Sequence, residues 1–357
     1  MSSLLKSILI SSAALLLVAC QGQNAGTDAN ADTASSSSSQ ASESTTTDAL
    51  SIGMVTNEGG IDDRSFNQSA WEGLQAWQAE TGAKVQYYES PDQSELIPNL
   101  NVAVADQYDI IVGLGYTTAE PLNEVASQNP DQNYALIDGE VDLDNTVSIA
   151  FKDQESAFLA GVAAALNTET NQVGFIGGTR IPVIDRFETG FKAGVAYIDE
   201  NIEVESQYTE SFSDASKGQQ IANAMYTNGV DVIYTAAGGS GNGVFTETRN
   251  RLEADPQTQL WVIGVDRDQT DEGEWTGGNF TLASTLKDTG AAIIALAEQT
   301  RDSSFPAGES LAYGLENGGV SLTQGQLLDE EWAQIEEAKA AIIAGDIQVP
   351  EFTYSES

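Results

Sequence analysis

Residues 51–88, SIGMVTNEGGIDDRSFNQSAWEGLQAWQAETGAKVQYY, decide the fold. Ser51–Val55 and Lys84–Tyr88 are short, largely apolar runs of strand length. Between them Ala70, Trp71, Leu74 and Trp77 recur at helical spacing. Gly82 stands where a left-handed C-cap would stop that helix. Strand, helix and strand at this spacing form a βαβ unit, which puts the two strands side by side and parallel.

The same alternation continues outward. Asp109–Leu114 and Asn133–Ile137 read as further strands. After a break come Gln172–Ile176, Val204–Tyr208, Val230–Thr235 and Leu260–Val265. Helical stripes lie between: one begins with Ala157, Phe158, Gly161 and Val162, and others run over 184–196 and 221–226. Two sets of four units, divided near 148–152, predict an α/β chain of two similar lobes. Each lobe is a parallel sheet flanked by helices, with a ligand cleft between the lobes. Phe280–Thr285 reads as another strand and a helix follows from Thr289. These fit poorly into the second set. The expected organisation is therefore a first lobe of 50–150 with about 275–322, a second lobe of 151–274, and a C-terminal helix and tail over 323–357.

Open α/β sheets bind ligands beyond the carboxyl ends of their strands. Here those ends carry Thr56-Asn57, Gly115-Tyr116, Asp138, Gly177-Gly178, Gly238-Gly239 and Asp266. Glycines let backbone N–H groups approach a ligand, and aspartates accept hydrogen bonds from sugar hydroxyls.

The first 49 residues read differently. Lys6, an apolar run from Ile8 to Val18, and Leu17-Val18-Ala19-Cys20 resemble a lipoprotein signal over 1–19, cut before Cys20. Cys20 is the one cysteine of the chain. That resemblance implies lipid on its sulfur and a protein anchored on the extracytoplasmic face of the cell membrane. Residues 21–49 hold no aromatic, Val, Ile or Leu, and read as a flexible tether with a reach of about 30 Å.

Composition excludes several functions. With 14 Lys+Arg against 54 Asp+Glu, the formal charge is −40, which argues against nucleic-acid binding. There is no histidine, so Ser-His-Asp catalysis and His-ligated metals are ruled out. Gly238-Gly239-Ser240-Gly241-Asn242-Gly243 fits neither G-x-G-x-x-G nor the Walker pattern, and reads as a backbone-donor loop opening a helix. Asp266-Arg267-Asp268 with Asp271 lacks the Gly and Glu of a calcium loop. Asp62-Asp63 reads as a helix-start carboxylate pair.

Several strings together carry a family resemblance: GGIDDRSFNQSAWEG over 59–73, Gly177-Gly178 with Pro182-Val183, Phe187-Glu188-x-Gly190-Phe191-x-x-Gly194, Gly264-Val265-Asp266 and Ser284-Thr285-Leu286-Lys287. They resemble the basic membrane protein family of lipoproteins, which includes purine nucleoside receptor A and is similar to type I periplasmic binding proteins. The resemblance implies a substrate-binding protein of an ABC importer that binds nucleosides, purines foremost, by lobe closure. It implies no enzyme activity, no cofactor and no metal. The partners would be a nucleoside and a membrane permease, and the protein would be a monomer.

It also implies site residues. Phe66 and Phe187 would stack on the base. Phe187 also shares a helical face with Val183 and Ile184, so a core role stands beside it. Asp266 would take the ribose hydroxyls, with Lys287 donating to the sugar and neutralising Asp266; a purely structural Asp–Lys pair is the other reading. Asp138 would sit at the base or sugar edge. Asn57 and Asn67 would read base heteroatoms, and Gly239 would offer backbone contacts. Three alternatives remain open from the residues alone: a binder of sugars or other small polar ligands, a surface nucleosidase using Asp62, Asp63 or Asp138, and a sensor subunit.

Overall fold

The computed structural model describes residues 50–351. The expected signal, Cys20 and the tether lie outside the described residues. Among the described residues no helix is long and apolar enough to cross a membrane.

In chain order the first lobe runs β1 (Ile52–Val55), α1 (Phe66–Thr81), β2 (Val85–Tyr88), α2 (Leu96–Ala105), β3 (Ile110–Leu114), α3 (Ala119–Gln128), β4 (Asn133–Ile137) and β5 (Thr146–Phe151). The chain then passes through α4 (Asp153–Asn167), β6 (Gln172–Gly177), α5 (Pro182–Ile198), β7 (Glu203–Tyr208), α6 (Ala215–Asn228), β8 (Val232–Ala236), α7 (Asn242–Ala254) and β9 (Trp261–Gly264). A small hairpin, β10 (Glu274–Trp275) and β11 (Gly278–Asn279), precedes β12 (Thr281–Lys287). Last come α8 (Thr289–Asp302), β13 (Ser310–Tyr313), β14 (Val320–Leu322) and α9 (Asp329–Ala344).

Two six-stranded sheets result, ordered β13-β5-β4-β3-β1-β2 and β14-β12-β9-β8-β6-β7. All pairings within them are parallel except β12 with β14. The sheets repeat one order, so β4 in the first lobe stands where β9 stands in the second. The central strands are buried along their whole length, as helices on both faces require.

The divide near 148–152 falls at the end of a strand that the sequence reading did not include: Thr146–Phe151 form β5, paired with β4 and β13, and the chain leaves the first sheet after it. One expectation is corrected. Residues 275–322 do not belong to the first lobe as a block. β12 and β14 complete the second sheet, and only β13 returns to the first. The chain therefore crosses between lobes three times, after β5, after β12 and after β13. Each crossing strand is fixed by its partner strand, a long-range choice that local periodicity does not carry.

The βαβ unit of residues 51–88 folds as read. Gly82 adopts φ 75° and its N–H caps Gln78 O, ending α1. Ala70, Leu74 and Trp77 are buried, while Trp71 is half-buried and meets the Tyr87 ring edge-on at 4.9 Å. α4 and α5 pack so closely that glycine is required at the contact. A Cβ on Gly194 would lie 2.0 Å from Phe158 O, and one on Gly161 would lie 2.2 Å from Phe191 O. This contact holds the α5 N-terminus, with Val183 and Phe187, at the edge of the cleft.

Candidate functional site

A cavity lies between the lobes, at the carboxyl ends of the strands. The first lobe contributes Asn57 and Glu58 after β1, Phe66 at the start of α1, Gly115 to Thr117 after β3, and Asp138 after β4. The second contributes Val183, Ile184 and Phe187 from α5, Phe212 after β7, Gly238 after β8, Asp266 after β9, and Lys287 at the end of β12.

Asp138 and Asp266 hold the same place in the two sheets, and both adopt left-handed φ, 61° and 68°. That conformation costs a non-glycine residue about 1–3 kcal/mol. It turns each carboxylate into the cleft just as its strand ends. Burial raises the Asp266 carboxyl to about 7; the Lys287 charge and a hydrogen bond from Ser65 Oγ oppose this. Asp138 is likewise raised by burial and opposed by Lys287. Its Oδ2 accepts from Lys287 Nζ at 2.7 Å, while Oδ1 is buried with no hydrogen-bond partner.

Lys287 is 3 % exposed. Its ammonium also lies 2.8 Å from Asp153 Oδ1, and Asp153 in turn takes Arg186 at 3.1 Å. Burial pulls the lysine down, but Asp138, Asp153 and Asp266 together hold it above its ordinary value. The same Nζ lies 5.3 Å from the ring centroids of both Phe66 and Phe187 and 5.4 Å from that of Phe151. Lys287 was expected to pair with Asp266. Its ion pairs run instead to Asp138 and Asp153, and its backbone N–H donates to Asp266 O at 3.0 Å. Asp266 lies beside it as a charge and takes its direct hydrogen bond from Ser65.

The lobes meet around the cavity. Ser65 reaches Asp266, Asn242 Nδ2 donates to Asp63 O at 3.2 Å, Gln269 Nε2 donates to Arg64 O at 2.9 Å, and Glu58 accepts from Ser211 and Ser213. Asp63 starts α1, as the sequence suggested: its carboxylate accepts from the backbone N–H groups of Ser65, Asn67 and Gln68. Burial raises its pKa against those three bonds.

Of the residues singled out from the sequence, the cavity wall brings together Asn57, Asp63, Phe66, Asp138, Phe187, Asp266 and Lys287. It does not include Asn67 or Gly239. Asn67 is buried behind the wall, where Oδ1 accepts from Asn57 N and Nδ2 donates to Glu58 O. It shapes the loop that carries Asn57. Gly238 faces the cavity and Gly239 packs against Phe212 O. Phe187 combines both of its readings, 3 % exposed against Tyr234 yet part of the wall. Sequence reasoning missed Glu58, Phe212 and Asp153. Glu58 follows a strand end, and Phe212 is a lone aromatic in a polar loop, so each had a local signal; Asp153 looked like any helix-start acid.

The cavity can hold a flat apolar group beside two phenyl rings and polyhydroxyl groups against two buried carboxylates. Among the described residues no group of three or more His, Cys, Asp and Glu could hold a metal ion. Residues 50–353 match the family described as ABC transporter substrate-binding protein PnrA-like. The chain is 46% identical over 315 residues to a CD4+ T-cell-stimulating antigen of Listeria innocua, covering 85% of this chain and 88% of that one. It is 42% identical over 315 residues to the ABC transporter nucleoside-binding protein BmpA of Lactococcus lactis, covering 84% and 89%. Among solved structures, a solute-binding protein of an ABC transporter system from Aeropyrum pernix superposes with a TM-score of 0.74 at 27% identity, covering 85% of this chain and 94% of that one.

Proposed function

The chain belongs to the PnrA-like family of ABC transporter substrate-binding proteins, and on that premise we propose that it is the nucleoside receptor of an importer, held outside the cell membrane by lipid on Cys20. The observation that carries the nucleoside reading is the meeting, in one cavity, of two phenylalanines with two buried strand-end aspartates. A nucleoside is a flat apolar base joined to a sugar with vicinal hydroxyls. Phe66 and Phe187 take the base, and stacking contributes about 0.5–1.5 kcal/mol beyond burial. A purine covers both rings more fully than a pyrimidine, which favours purines. Asn57 offers its amide to base heteroatoms.

Asp266 accepts the 2′ and 3′ hydroxyls. Asp138 Oδ1, unpartnered without ligand, accepts the 5′ hydroxyl. Lys287 opposes the rise that burial imposes on both carboxylates and so favours their charged forms. The name of the Lactococcus relative supports this ligand class. Binding between lobes draws them together, and the closed form is the one a permease engages. The protein acts as a monomer, without a cofactor.

The receptor breaks no bond of its ligand. Radiolabelled inosine held with the protein for hours and then released by denaturation is expected to chromatograph as inosine alone. Free hypoxanthine accumulating with time would overturn this in favour of a nucleosidase.

A further inference from the structure

Beside the ligand cavity lies a second, more open one. The two share Tyr116, Thr117, Asp138 and Val183, so they meet at Asp138. The shared aspartate is 7 % exposed, and its Oδ1 has no partner. The second cavity has apolar walls in Ala119, Ala150, Pro182 and Val183. Ala150 is the one exposed position of β5 and points its methyl group there. Tyr116 stands 44% exposed at the junction.

The charges of this cavity are unbalanced. Glu120 and Glu140 line it with Asp138, and Arg186 is its one cation among the described residues. Arg186 is already engaged by the fully buried Asp153 at 3.1 Å. Asp138 is answered by Lys287 at 2.7 Å, so the excess negative charge an entering group meets is that of the exposed Glu120 and Glu140.

We propose that this second cavity is a subsite for a substituent on the 5′ carbon of a bound nucleoside, admitting neutral or amine-bearing groups and refusing phosphate. The inference rests on the nucleoside reading above. With the diol on Asp266, the 5′ carbon lies at Asp138, where the two cavities join. A thioether or alkyl group there packs on Tyr116, Val183 and Pro182. An amine meets Asp138, Glu120 and Glu140. A phosphate brings two negative charges to the same carboxylates, in a protein whose formal charge is −40.

The test is calorimetric titration of the full chain, stripped of ligand, with adenosine, 5′-deoxy-5′-methylthioadenosine, 5′-amino-5′-deoxyadenosine and adenosine 5′-monophosphate. The methylthio and amino compounds are expected to bind within about threefold of adenosine, and the monophosphate at least about a hundredfold more weakly at low salt. Ala150→Trp fills the second cavity. It is expected to weaken the methylthio compound by about tenfold or more while leaving adenosine unchanged, which also shows that the variant folds. Glu140→Lys is expected to strengthen the monophosphate by about tenfold without altering adenosine. Loss of the methylthio compound on the native chain with adenosine still bound would overturn the subsite alone, as would a monophosphate that binds as tightly as adenosine. Guanosine and inosine are titrated alongside; silence from adenosine, guanosine and inosine together would remove the nucleoside reading, and the subsite with it.

Discussion

Replacing Lys287 with Met is expected to destabilise the ligand-free protein by about 3–5 kcal/mol at pH 7.5, the usual cost of removing one partner from a buried ion pair. The reason is local. Lys287 Nζ is the direct partner of Asp138 Oδ2 at 2.7 Å and of Asp153 Oδ1 at 2.8 Å, all three side chains being almost wholly buried. Arg186 would still neutralise Asp153. Asp138, whose other oxygen has no partner, would be left as an orphan charge.

The sign of the pH dependence follows. Burial already raises Asp138, and Lys287 is what opposes it. Without the lysine the folded-state pKa climbs further above its unfolded value near 3.8. The folded variant then binds a proton that the unfolded chain does not, so its stability rises as pH falls toward that unfolded value. Urea unfolding at pH 7.5 and pH 5 should show the gap to the native protein shrinking at the lower pH. An equal gap at both would mean that packing, not charge, is what Lys287 supplies.

Asp266→Asn is expected to weaken nucleoside binding by about a hundredfold or more, since two charge-assisted hydrogen bonds to the diol become neutral ones. The change keeps size and still accepts from Ser65, so the fold survives it. Two pH effects should vanish with the carboxyl. In the native protein the ionised form is the acceptor, so affinity falls as pH drops below about 7, approaching tenfold per unit. Stability without ligand runs the other way. The Asp266 pKa is raised from 3.8 to about 7 on folding, so its contribution is fullest below pH 4 and is lost as pH rises through 7. At pH 8 the ligand-free variant should therefore melt above the native protein while binding far more weakly. Binding that stays pH-dependent in Asp266→Asn would place the titrating acceptor elsewhere.

How much of this was legible before the structure differs by element. The βαβ unit of residues 51–88 was, because its spacing, its apolar stripe and Gly82 are local signals that tertiary structure then respected. The strand-end residues were legible too, since a parallel α/β sheet fixes where its ligands go whatever they are. β5 carries no separate signal because Thr146–Phe151 falls where the two repeats join. β13 and β14 are short outer strands, SLAY and VSL; β13 is partly exposed, and three residues are too few for β14 to show a pattern. No local property tells β12 which of two sheets to join.

The charge cluster divides in the same way. That Asp138, Asp266 and Lys287 matter could be argued from a carboxylate at a strand end and a rare cation after an apolar run. That Lys287 pairs with Asp138 and Asp153, rather than Asp266, depends on how three crossing strands bring residues more than a hundred positions apart into contact. Asn67 shows the converse. Its neighbour Phe66 faces the cavity, but one step along α1 turns the side chain by about 100°, into the wall behind.

The most direct measurement is calorimetric titration of the ligand-stripped chain with inosine, guanosine, adenosine, cytidine, uridine and ribose, repeated with Phe66→Ala. Saturable heat from nucleosides, strongest with purines, with ribose silent and Phe66→Ala weakened by about tenfold or more, is the predicted result. Saturable binding of ribose with every nucleoside silent would contradict the account and make this cavity a sugar site.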